Sequence, residues 1–309
     1  MQFLFNLFNH NPAGQMSLED PLGIIGHQLQ ALGHKVVWEK KNDRFLMPEA
    51  GINLIIEGFT EASAQVINEA HFRGAQFICI ATEEPTPKGF NHGRDREMAN
   101  RQRDFHLVGK SLKGIFHLVP GEHVKNWFSQ FAPTAYIELG HAPTLVRPGD
   151  WKEPEFAFGF FGSLTRRRLK ILKRLAKSLP GVEKAVRVEA TFPSQVDRDR
   201  IMREAKVIIQ IRKYEEMGLV SSSRCNTALC LGRPIVAEPH LLSKPWDEVV
   251  KFSASTETFF NDALMTMVAW RGVHSSQFSR FREKFTPDFC VGRALREIGM
   301  EAWAGSAAA

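Results

Sequence analysis

The chain has 309 residues, 43% of them hydrophobic and 24% charged, with a formal net charge of +6 at pH 7 and a sequence pI of about 9.2. This composition excludes a disordered chain, and the length suits two domains of roughly 150 residues. The moderate basicity fits an acidic ligand, and no run of 18 apolar residues is present to span a membrane.

The first eight residues read as a strand, and Asn9 to Gly14 as a turn-rich loop. Leu22, Ile25, Leu29 and Leu32 recur at helical spacing, with Ser17 as a cap and Gly33 as the stop. Strands follow at 35–38, 52–58, 76–81, 114–119 and 135–141, with helices between them through Ala62 to Ala70, Arg94 to Val108 and His123 to Phe131. Pro143 to Pro154 holds three prolines and little periodicity, so it reads as a linker. The pattern then restarts with a strand at 156–161, a Gly162-Ser163 turn and a basic amphipathic helix from Thr165 to Ser178. A strand at 184–189, a polar helix start at Asp197, a strand at 207–211, a helix after Ser221 and a strand at 234–238 come next. A last strand at 248–252 and helices over 256–270 and 274–303, broken at Pro287, close the chain. Alternation of this kind predicts an α/β fold: parallel sheets with helices on both faces. The expected domains are 1–148 and 149–303, with 304–309 a tail that has the look of an appended linker.

The four cysteines, Cys79, Cys225, Cys230 and Cys290, form no CxxC pair and no zinc spacing; Cys79 and Cys230 fall in apolar runs and read as buried thiols, which suggests a reducing cytoplasm. Met1 to Phe8 is too short and lacks the basic start of a secretory signal, so a cytoplasmic location is expected.

Two helix N-termini lie at the carboxyl ends of parallel strands, where open N–H groups and the helix dipole favour an anion. One follows Gly162 and Ser163; the other begins at Ser221, Ser222 and Ser223 and carries Arg224 in its first turn. A phosphate-bearing ligand is therefore expected over both. Arg166, Arg167 and Arg168 point three ways around a helix start, so one or two face a ligand; Arg167 is read as solvated. Glu215, Glu216 and Gly218 form a loop that suits sugar hydroxyls, and Glu238 ends a central strand as a candidate for a ribose contact. In the first half, Asn11, Gly14 and Gln15 make the first strand–helix loop. Glu83 and Glu84 follow the fourth strand and His141 the sixth; Glu84 and His141 are the candidate general bases.

The stretches Phe160-Phe161-Gly162-Ser163-Leu164-Thr165-Arg166-Arg167-Arg168 and Ser221 to Glu238 resemble the donor domain of GT-B glycosyltransferases. The likeness is to bacterial members of the family 1/4 type, related to a spore-maturation protein, and covers about 80 residues. It implies two Rossmann-like doubly wound domains facing a cleft, the second of which binds a nucleotide-diphosphate sugar and the first an acceptor, at the loop of Asn11, Gly14 and Gln15. It also implies that Ser222, Ser223, Arg224, Asn226 and Thr227 line the donor, and that Arg224 neutralises the leaving diphosphate. No metal or other cofactor is implied. The family commonly has a glutamate five residues before the helix-ending glycine, where it holds the donor ribose; here that residue is Thr227. Three alternatives stay open. A degenerate GT-B protein would bind without turnover. A nicotinamide oxidoreductase would need a G-x-G-x-x-G that neither Gly23/Gly26 nor Gly159/Gly162 supplies. Nucleic-acid binding ranks last, because the basic helix lacks interleaved aromatics. Peripheral contact with an anionic membrane would suit a lipid-linked acceptor.

Overall fold

Apolar runs rich in β-branched and aromatic residues become central strands here, and the amphipathic stretches between them become the covering helices. A computed structural model describes residues 2–8, 15–38, 50–93, 96–146, 153–179, 184–190, 194–213, 215, 219–240 and 243–304. The chain divides into two compact units, Met1–Ala142 with Phe285–Ala309, and Pro143–Lys284.

In the first unit the order is β1 (Leu4–Phe8), α1 (Gln15–Ala31), β2 (Lys35–Trp38), β3 (Ile52–Ile56), α2 (Glu61–Phe72), β4 (Gln76–Ala81), α3 (Arg96–Asp104), β5 (Leu112–His117), α4 (Glu122–Phe128) and β6 (Thr134–Tyr136). The six strands form one sheet in the order β2-β1-β3-β4-β5-β6, parallel throughout. β3 is buried along its whole length, as a strand covered on both faces must be. Thr60 closes the start of α2 with a capping box to Ser63.

The expected division placed residues 149–303 together, whereas the chain from Phe285 onward belongs with the first unit. Gly140 is the reason this return is possible. A Cβ there would stand within about 2.5 Å of the Cys290 Sγ, the Gln28 Nε2 and the Phe285 carbonyl oxygen. The His141 N–H donates to that Phe285 carbonyl at 2.8 Å. A π-helical turn at Asp288–Gly292 and a short helix at Arg293–Glu297 follow. Trp303 then stacks on Phe3 with ring centroids 3.8 Å apart, and its carbonyl accepts from His34 Nε2 at 2.7 Å. The final turns thus cover β1, and no local pattern in the sequence announces it.

In the second unit the order is β7 (Phe156–Phe161), α5 (Arg166–Lys177), β8 (Val186–Glu189), α6 (Gln195–Arg203), β9 (Ala205–Gln210), α7 (Ser222–Cys230), β10 (Ile235–Ala237), β11 (Lys251–Phe252), α8 (Thr256–Val268) and α9 (Trp270–Lys284). Its five strands run parallel in the order β11-β10-β9-β7-β8. Phe158, Phe160, Leu172, Leu175, Val207, Ile209 and Phe259 form its main core, with α5 and α8 contributing the helical side. β11 pairs only with Val236 and Ala237, and Gln277 of α9 completes the edge of β10. Its Oε1 accepts from the Ile235 N–H at 2.9 Å and its Nε2 donates to the Ile235 carbonyl at 2.8 Å. A side-chain amide so placed satisfies two buried backbone groups that a longer strand would otherwise pair.

Candidate anion-binding site

In both sheets the order in which successive strands are added reverses once. In the second unit β8 lies on one side of β7 and β9 on the other, so the reversal falls between β7 and β9. Ligands of open α/β sheets bind outside the carboxyl ends of the two strands at such a point. Three pieces of chain arrive there: the turn after β7, the end of β9, and the first turn of α7.

Gly162 makes the turn with φ +126°, a left-handed conformation that side chains other than hydrogen strain to adopt. A Cβ on it would meet Arg224 Nη2 at 2.9 Å and Arg168 Nη1 at 3.7 Å. Two guanidinium groups therefore converge on one point over this glycine. Both also stand over the Phe160 ring, Arg168 at 5.2 Å and Arg224 at 5.4 Å from its centroid. Arg168 is buried and forks onto the Ile211 carbonyl at 3.0 and 2.8 Å and the Ser163 carbonyl at 2.9 Å. Arg224 is half-buried, bonds the Gln210 Oε1, and has no carboxylate partner among the described residues. Burial, then the Arg168 charge, lower its affinity for the proton to a pKa of about 10.

The helices around this point differ at their starts. Thr165 caps α5 by accepting from the Arg168 N–H, and Ser194 and Ser255 cap α6 and α8 in the same way. Ser221, at the cap position of α7, makes no side-chain capping bond. The first-turn N–H groups of Ser222, Ser223 and Arg224 thus lack the acceptor that their neighbours have.

Glu238 follows β10 and is fully buried. Arg167 grips it with both guanidinium ends, Nη1 on Oε1 at 2.8 Å and Nη2 on Oε2 at 2.5 Å, and the Arg212 N–H donates to the same Oε1. The reading of Arg167 as solvated is therefore corrected: a carboxylate 71 residues away draws it in. Glu238 is spent within the protein, so it orients the loop after β9. Arg166 and Ser163 are exposed at the start of α5, and Ser222, Ser223 and Thr227 are half-buried on α7. Asn226 is buried, its Oδ1 3.7 Å from Cys230 Sγ. Glu215 is exposed and its carbonyl accepts from Arg212 at 2.7 Å; Glu216 and Gly218 lie outside the described residues.

His240, two residues beyond Glu238, went unnoticed in the sequence because nothing marks it but a proline before it. Its Nδ1 lies 2.6 Å from the Glu238 carbonyl oxygen, and its ring meets Phe252 edge-on at 5.5 Å. Burial pushes its pKa down to about 4, against partial opposition from Glu238 and with help from Arg212 and Arg224.

In the first unit the carboxyl ends of β3 and β4 gather a second charged group. Glu57, fully buried, accepts from Thr82 Oγ1 at 2.7 Å and from Arg101 Nη2 at 3.1 Å, and Arg101 Nη1 reaches Glu83 at 3.3 Å. Burial pushes the Glu57 carboxyl up to about 7, with Glu83 adding to the rise and Arg101 and Thr82 opposing it. Glu84 stands apart from this group and accepts from His123 Nε2 at 3.1 Å. His141 is buried. Asn11 and Gly14 lie outside the described residues, as does the side chain of Gln15 in α1. Among the described residues no cluster of three or more His, Cys, Asp or Glu side chains suits a metal ion, and no helix is long and apolar enough to cross a membrane.

No protein family profile matches the chain, and no curated protein matches it in sequence. Solved structures do resemble it. The N-terminal domain of trehalose-6-phosphate phosphatase from Candida albicans aligns over 97% of each chain with a TM-score of 0.55 and 7% identity. A UDP-forming α,α-trehalose-phosphate synthase from Burkholderia xenovorans aligns over 83% of this chain and 75% of its own, with a TM-score of 0.50 and 9% identity. With the two parallel sheets, these likenesses establish an α/β fold of two Rossmann-like doubly wound units, the GT-B class.

Two tests follow from the charges. Arg167→Met leaves the buried Glu238 with only the Arg212 N–H and the Arg212 guanidinium, whose Nε stands 3.7 Å away, and is expected to cost about 1–3 kcal/mol in urea denaturation. Adding Glu238→Gln should recover part of that loss; a single variant as stable as wild type would contradict the clamp. For His240, the folded pKa lies below the ordinary 6.5, so its contribution to stability is present above pH 6.5 and is lost as pH falls towards 4. His240→Gln should therefore flatten the decline of the denaturation midpoint between pH 6.5 and 4, and an unchanged slope would sink this assignment.

Proposed function

We propose that the chain is a glycosyltransferase that moves a sugar from a nucleotide-diphosphate donor to an acceptor, with the second unit holding the donor. Arg224 carries this reading: a half-buried cation close to a second cation, standing over a glycine turn, and without a carboxylate among the described residues. Such a group gains most from an anion that arrives with the ligand. The uncapped start of α7 adds open N–H groups at the same place. A diphosphate fits both, and the fold likeness to an enzyme described as UDP-forming agrees with it.

On this reading the bond between the sugar's anomeric carbon and the diphosphate oxygen breaks, and the diphosphate leaves with the electron pair. Arg224, Arg168 and the α7 N–H groups take up the charge that develops, the work a metal ion does elsewhere, so no metal or other cofactor is needed. Gly162 and Ser163 give the diphosphate close access to the backbone. Ser222, Ser223 and the exposed Arg166 supply further donors, and Thr227 offers a hydroxyl to the ribose. Glu215, Glu216 and Gly218 belong to the loop that would meet the sugar. Asn226 and Glu238 support the site from within.

The acceptor is assigned to the first unit, with Asn11, Gly14 and Gln15 on its side. Its hydroxyl oxygen forms the new bond to the anomeric carbon and its proton passes to a base. Glu84 is our choice for that base, since His141 is buried; the acceptor itself is a glycan, a lipid-linked sugar or a small molecule. We assign the enzyme to a bacterial cytoplasm, with contact to an anionic membrane surface if the acceptor is lipid-linked. Thr227 in place of a carboxylate favours a second reading, a protein that binds the donor without turning it over.

Thermal unfolding with UDP, GDP, ADP and CMP, their sugar conjugates, and NAD and NADP as controls tests the proposal. One nucleotide and its conjugates should raise the midpoint by linkage, and Arg224→Ala should abolish the rise. Stabilisation by NAD alone would refute the transferase reading. Release of free nucleotide from the conjugate, lowered about 100-fold or more in Arg224→Ala, would separate an enzyme from a binder.

A further inference from the structure

One buried polar atom at this edge of the second unit stands outside the arginine pair and the α7 start assigned above to a diphosphate. A backbone carbonyl only accepts, so the 2.6 Å contact to the Glu238 carbonyl places the imidazole proton of His240 on Nδ1. Nε2 then presents a lone pair. That atom is buried and has no hydrogen-bond partner among the described residues. The edge-on contact with Phe252 and the Nδ1 bond fix the ring from two sides.

The position of His240 follows from the sheet. Ala237 of β10 pairs with Gln210 of β9, the residue that holds Arg224, and the Glu238 N–H donates to the Gln210 carbonyl at 3.1 Å. His240 therefore stands just past the carboxyl end of the strand beside the reversal point. Arg212 and Arg224 both act on it electrostatically, and they oppose its protonation. The chemistry of a partner is constrained by these neighbours. A phosphate oxygen would set lone pair against lone pair, and a cation would face two guanidinium groups. A neutral group that donates a hydrogen bond remains, and a buried acceptor left unmet is costly enough to matter in binding.

We propose that His240 Nε2 accepts a hydrogen bond from a hydroxyl of the bound donor, either of its ribose or of its sugar. His240 is thus a specificity-determining residue of the donor site. This rests on the reading of the second unit as a nucleotide-sugar site. It gives that site a polarity: arginines for the diphosphate and, beside them, a neutral acceptor for a polyol.

Calorimetric titration with three probes tests the assignment: inorganic pyrophosphate, UDP and UDP-glucose. If another base gives the larger thermal shift, its diphosphate and sugar conjugate replace the last two. His240→Phe keeps a ring but removes the acceptor; His240→Gln keeps an acceptor. The expected result is unchanged pyrophosphate affinity in both variants. His240→Phe should weaken UDP and UDP-glucose about tenfold if the hydroxyl is the ribose's, or UDP-glucose alone if it is the sugar's. His240→Gln should restore most of the loss. Equal affinities for all probes in His240→Phe, or an equal loss that includes pyrophosphate, would overturn the assignment while leaving the donor site intact. A wild-type protein that binds none of the probes would overturn the donor site itself, and His240 with it.

Discussion

Arg224 and Arg168 meet over Gly162 and the Phe160 ring, and much of the second unit is arranged to hold them there. Cations brought out of water repel one another and favour losing a proton. The buried carboxylate of Glu238 is engaged elsewhere, since Arg167 and the Arg212 N–H occupy its oxygens. What supports Arg224 is weaker: an aromatic face and the Gln210 side-chain oxygen. The folded protein thus carries a cost that a bound anion would remove, and binding and stability are linked through the same guanidinium.

The surrounding structure sorts polar groups by whether they are closed or open. α5 is closed by Thr165, whose hydroxyl also donates to the Lys213 carbonyl at 3.1 Å. α7 is open at Ser221. Arg167 is paired and Arg224 is not. His240 uses one ring nitrogen inside the protein and leaves the other bare. Open groups collect at the carboxyl ends of β7, β9 and β10, where the strand order places a crevice. The first unit has its own reversal, between β1 and β3, and Glu57 follows β3 directly. There, however, the carboxylate is tied to Thr82 and Arg101.

The parts of this design set by short-range pattern were legible in the sequence. The run Phe156 to Phe161, the Gly162 turn and the serines before Arg224 are local signals, and the elements they predict are present. Pairings over long separations were not legible. Nothing near Arg167 points to Glu238, and nothing near Arg101 points to Glu57, 44 residues away. In both cases a buried carboxylate draws in an arginine distant in sequence, and for Arg167 this displaces the reading of it as solvated. The return of the chain after Phe285 was missed for the same reason, since it depends on space at Gly140. His240 was missed because its role comes from what it lacks, a partner for Nε2.

The central claim is that a diphosphate binds over Gly162 against Arg224 and the start of α7. A crystal structure with the nucleotide that stabilises the protein tests it most directly. The account predicts phosphate oxygens within about 3 Å of the Arg224 guanidinium and of a first-turn N–H of α7, at charge-assisted hydrogen-bond distance. A nucleotide bound elsewhere, with Arg224 still turned onto Gln210 alone, would contradict it.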